Sequence, residues 1–128
     1  MAAPPLDENA AQAIDALRRQ FGQRLEQELR VLSSCADRFD VEPDPASDVA
    51  ILRQICHLLM GSAGLFGFHA IADAAADAHA AVKDGRSGPG LGLVTRALAG
   101  QIIDVLASHF GVERSDYDDS KRHAPSGD

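Results

Sequence analysis

From Ile14 to Phe39 an apolar side chain returns every third or fourth residue: Ile14, Leu17, Phe21, Leu25, Leu29, Leu32, Ala36 and Phe39. A helix turns once in about 3.6 residues, so these side chains share one stripe. Arg18, Arg19, Gln23, Gln27 and Arg30 fall on the other faces. The spacing predicts a helix over residues 7–40. A stripe of that length needs other elements to cover it, and a chain of 128 residues can supply one such core but not two.

Proline and glycine divide the rest. Residues 41–47 form a break in which Asp44 before Pro45 reads as an N-cap followed by proline at the first helical position. The second helix carries Leu52, Cys56, Leu59, Ala63 and Phe66 within about 40° of one direction, and Gly67 interrupts it. Residues 68–83 hold eight alanines, with Ile71, Ala75, Ala78 and Val82 as their apolar line. Alanine favours helix and lets neighbouring helices approach closely. Residues 85–92, GRSGPGLG, are assigned to a loop, and Leu91, Val94, Leu98, Ile102, Val105 and Phe110 form the stripe of a fourth helix that stops at Gly111. The expected fold is all-α, an antiparallel up-down four-helix bundle with a long first helix, spanning residues 7–111 between flexible ends at 1–6 and 112–128.

Charge and composition narrow the function. Twelve Lys and Arg against nineteen Asp and Glu leave a net charge of -7, which opposes binding to nucleic acid or anionic lipid. No apolar run approaches the roughly 18 residues of a membrane span, and the first five residues lack the basic start of a secretory signal. These features predict a cytoplasmic protein with no membrane contact. Cys35 and Cys56 have no CxxC spacing and read as small buried residues in a reducing compartment. Phosphate-loop, dinucleotide and HExxH motifs are absent from the sequence, as is any internal repeat.

One segment carries chemistry. With the core direction of the second helix at 0°, His57 lies at about 140°, Gly61 at about 180° and Gly64 at about 120°, all turned away from the core. A glycine inside a helix costs about 1 kcal/mol relative to alanine, and this chain uses alanine freely elsewhere. Open space beside an exposed imidazole is the simplest demand that two such glycines meet. Ser62, Phe66 and Gly67 read as structural.

The segment CHLLMGSAGLFGF, with His57, Gly61, Ser62, Ala63, Gly64, Phe66 and Gly67, resembles the signature of histidine-containing phosphotransfer (HPt) domains, approximately HxxKGxxxxxG. The resemblance extends over most of the chain, from the long first helix to the fourth. It implies a phosphorelay intermediate in which His57 accepts a phosphoryl group and exchanges it with the aspartate of a response-regulator receiver domain, or receives it from a histidine kinase or hybrid kinase. A free imidazole titrates at about pH 6.5 and is largely nucleophilic near neutrality. The resemblance further implies that the chain binds no cofactor, that Mg²⁺ sits on the receiver, and that no autonomous turnover occurs. The sequence departs from the pattern at Met60, where the family usually has lysine. Arg53, one turn before His57, is the nearest cation on that face. Leu58, Met60, Leu65 and Phe68 are the candidate apolar residues of the partner-docking surface, although Leu58 and Leu65 also suit packing within the bundle.

The other histidines carry weaker signals. His69 with Asp73, and Asp77 with His79, have spacings that invite a metal, but a solvated polar face explains them better, and no metal site is expected. His109 suits a helix C-terminus, and His123 belongs to the tail. A monomer is expected. The alternative function is an HPt-like interaction module that has lost efficient transfer, with Met60 as its mark, and that binds a receiver or kinase as scaffold or inhibitor.

Overall fold

The structure, a computed structural model, describes residues 8–42 and 46–112. It is all-helical among these residues, with α1 over Glu8–Val41, α2 over Ala46–Leu65, α3 over His69–Lys83 and α4 over Pro89–His109. The Asp44–Pro45 cap falls outside the described residues, as do residues 1–7 and 113–128. The helices pack in a ring in which α2 lies on α3, α3 on α4 and α4 on α1, while α1 and α2 touch more sparsely. Leu25, Leu32, Leu52, Ile71, Leu98, Ile102 and Leu106 are fully buried at the centre. Alanines 75, 78 and 81 bring α3 close to its neighbours, as small side chains allow.

Two parts of the apolar reading need correction. Ile14 and Leu17 belong to the α1 stripe by spacing, yet they are 52% and 55% exposed. With 34 residues α1 runs about 51 Å, whereas the 21 residues of α4 reach about 32 Å, so among the described residues α4 is too short to cover the whole stripe of α1. Residues 89–92 are helical rather than loop: Pro89 opens α4, where its missing N–H costs nothing, and the connection shrinks to 84–88. Gly92 then permits close approach to α1, since a Cβ there would lie 2.9 Å from Asp40 Oδ1.

By length and composition α4 is apolar enough to cross a membrane, although Thr95, Arg96, Gln101 and Asp104 interrupt its apolar run. In this fold Leu91, Leu98, Ile102 and Leu106 of that helix lie in the core.

The turn from α2 to α3 is a tight one. Gly67 adopts φ +84°, and the N–H groups of Gly67 and Phe68 donate to the carbonyls of Gly64 and Ala63 at 3.0 and 2.8 Å. This pair of bonds is a Schellman stop, and its left-handed residue favours glycine. The last glycine of the motif therefore has a purely structural role. Phe68, which follows it, caps α3 and is only 8% exposed. Its ring stacks on Phe21 at 5.9 Å, meets Phe110 at 6.0 Å, and lies under the Arg18 guanidinium at 5.6 Å. Phe68 is thus a core residue and not part of an exposed docking patch, because the turn delivers its ring inward to the aromatic end of the bundle.

Candidate functional site

At the start of α2, Asp48 is buried and accepts two hydrogen bonds from the Arg38 guanidinium, from Nε at 2.6 Å and from an Nη at 2.7 Å. The bidentate pair ties the last turn of α1 to the first turn of α2, where a carboxylate also suits the helix dipole. Arg38 holds the Asp48 carboxyl below the usual carboxylate range, so the clamp stabilises the fold above the unfolded pKa of aspartate and is lost on acidification through the lower folded value. Burial pushes the neighbouring Cys35 thiol up to about 11, and its Sγ donates to Asp48 Oδ1 at 3.6 Å. Burial likewise pushes Cys56 up to about 12. Both cysteines are free and buried.

Along α2, Leu52, Ile55, Cys56, Leu59 and Ala63 turn inward, which turns His57 and Arg53 to solvent. Among the described residues a Cβ built at Gly61 or Gly64 meets nothing within 4 Å, so neither glycine serves packing between the four helices. The surface past the imidazole is open for two turns. Met60 and Leu58 are each 39% exposed, and Leu65 is 82% exposed. Ser62 donates to the Leu58 carbonyl at 2.8 Å, a bond within its own helix.

Spacing along one helix does not reveal what faces His57 from elsewhere. Here α3 contributes His79, and Ala50, Arg53, Gln54, His57 and His79 line one open depression of about 410 Å³. His57 and His79 are thus brought together, whereas neither His69–Asp73 nor Asp77–His79 becomes part of a metal cluster; among the described residues no group of three metal-ligating side chains exists. His109 packs edge-on to Phe68 with ring centres 5.1 Å apart.

A larger depression, about 550 Å³, follows the sparse α1–α2 contact and does not include His57. Leu17, Phe21, Leu58 and Phe66 line it beside Arg24 and Glu28. Glu28 is buried in the middle of α1, where its Oε2 accepts from Arg24 Nε at 3.0 Å and its Oε1 has no hydrogen-bond partner among the described residues. Its carboxyl is held above the ordinary 4.5, because burial outweighs the stabilising Arg24 contact. A raised acid pKa means that the folded state binds more protons than the unfolded one, so stability falls as pH rises from 4.5 through the folded value. Glu28→Gln is expected to remove this decline and to raise the melting temperature at pH 7 by a few degrees. Thermal melts between pH 4 and pH 7 check it, and a lower melting temperature for the variant at pH 7 would make the Arg24 pair the dominant effect.

Compared with known proteins, the chain matches no family model, no curated protein and no solved structure.

Proposed function

We propose that this chain is a phosphorelay intermediate of the histidine phosphotransfer type, carrying a phosphoryl group on His57. The observation that carries the reading is an exposed imidazole followed on its own helix by Gly61 and Gly64, whose Cβ positions open onto empty space, within the segment HLLMGSAGLFG. Transfer balances simply. A ring nitrogen of neutral His57 donates its lone pair to phosphorus, the bond from phosphorus to the aspartyl oxygen of a receiver domain breaks, and the carboxylate leaves with the electron pair; the ring's other nitrogen then releases its proton to water. The reverse steps return the group. Such reactions depend on in-line positioning and charge neutralisation, so clearance around the ring is the carrier's main contribution.

In this reading the four helices run alternately up and down in an antiparallel bundle around a long first helix. The partners are a response-regulator receiver, which supplies Mg²⁺ and the acidic pocket, and a histidine kinase or hybrid kinase. The protein works as a cytoplasmic monomer without a cofactor or turnover of its own. Leu58, Met60 and Leu65 provide apolar area for docking, with Leu58 on the rim of the α1–α2 depression.

The test is incubation of the full chain with a phosphorylated receiver or hybrid kinase. An acid-labile, base-stable product on the chain is the expected result, and its absence from a panel of donors overturns the reading. Met60 favours the second reading, a docking module without efficient transfer, because an exposed thioether places no cation beside the phosphoryl oxygens. Binding to a donor without labelling is its signature. Under the transfer reading Arg53 partly replaces the missing lysine. Arg53→Ala is then expected to slow labelling about threefold or more, and Met60→Lys to speed it, both read as initial rates.

A further inference from the structure

The depression between α2 and α3 is unusual in a chain of net charge -7. Its lining has two imidazoles, a guanidinium and an amide, from His57, His79, Arg53 and Gln54, and no carboxylate. The two cation-forming groups beside His57 reach it from different helices: Arg53 stands one turn earlier on α2, and His79 comes across from α3. Lys83 follows His79 by one turn on α3 and is exposed, which adds positive charge on the same face. Ala50 leaves room on the α2 side of the depression.

We propose that this depression is a binding site for a tetrahedral oxyanion, in which a ring N–H of His79 and the guanidinium of Arg53 hold the oxygens of the phosphoryl group on His57. The assignment deepens the phosphocarrier reading and rests on it for the identity of the group bound. A phosphoryl group on the His57 ring presents three oxygens, and donors arriving from two helices can meet more than one of them. His79 is therefore a positioning residue. It supplies from α3 a hydrogen-bond donor that Met60 leaves out of α2.

The site is tested on the full chain with phosphoramidate, a small phosphoryl donor that needs no docking surface. In that reaction His57 nitrogen bonds to phosphorus, the donor's P–N bond breaks, and its nitrogen leaves as ammonia after taking a proton from water. Wild type, His79→Ala and His79→Arg are compared by phosphorus NMR. The expected result is a roughly tenfold slower gain of phosphohistidine in His79→Ala, rescue to within about twofold in His79→Arg, and movement of the His79 ring signals in wild type when His57 is phosphorylated. Equal rates in His79→Ala and wild type, with no movement of the His79 signals, overturn the oxyanion site while leaving His57 as carrier. A second arm titrates inorganic phosphate into the unphosphorylated chain. If wild type takes no label from any donor yet phosphate moves the ring signals of both His57 and His79, the carrier reading fails and the oxyanion site stands. If phosphate moves neither and no label forms, both fail.

Discussion

His57→Gln is expected to abolish acid-labile label from every donor that labels wild type, a loss of at least about a hundredfold, because the amide nitrogen of glutamine is not a nucleophile that can form the phosphorus–nitrogen bond. The exchange should leave the fold alone. His57 is exposed, and substitutions at such positions change stability by about 0.5 kcal/mol or less, so matching melting curves separate a lost acceptor from a lost structure. The chain has five histidines, and label persisting on the variant would relocate the carrier to one of the other four. His79 would be first among these, since it shares the depression with His57.

Gly61→Ala and Gly64→Ala are expected to move stability and function in opposite directions. A Cβ at either site meets no neighbour, so the helix gains about 1 kcal/mol from each exchange with no packing penalty. That corresponds to a rise of about 4 °C in melting temperature for each exchange. Transfer from a phosphorylated receiver should nevertheless slow about tenfold or more in Gly61→Ala, whose new methyl stands one turn beyond the imidazole and narrows the approach to it. Gly100→Ala on α4 is the control. That position is equally open, so the same stabilisation should come with unchanged transfer. Wild-type rates in a stabilised Gly61→Ala would show that clearance is not what this glycine supplies.

Much of the fold was legible in the sequence because helical periodicity is local. The stripes through Leu25, Leu29 and Leu32 in α1 and through Leu98 and Ile102 in α4 are buried as their spacing predicts. The same rule misjudged Ile14 and Leu17, since periodicity identifies a face without saying whether anything covers it. It also misjudged residues 89–92, where glycine suggests a loop although proline at the first helical position and the close approach at Gly92 favour helix. Phe68 could not be placed from its neighbours in sequence. Its burial follows from a turn that aims one ring at Phe21 and Phe110, which lie 47 and 42 residues away.

For the candidate site, one helix was enough to place His57, Arg53, Gly61 and Gly64 on a solvent-facing surface, because all four directions follow from 3.6 residues per turn. Nothing of that kind singled out Glu28 or the Arg38–Asp48 clamp, and His79 drew attention only for its spacing from Asp77. Glu28 lies on the α1 stripe's margin, and its buried oxygen is a consequence of how α1 meets α2. Arg38 and Asp48 are ten residues apart across a break, and only the angle between the two helices makes them a bidentate pair. From its spacing His79 reads as one half of an Asp77–His79 pair on a solvated polar face, with no connection to His57. By itself the sequence determined four amphipathic helices and the outward face of α2, since both depend on contacts within a few residues. The partner that α3 sets beside His57 was decided by tertiary structure alone, because pairing and register between helices depend on how whole faces fit and not on the spacing within either one.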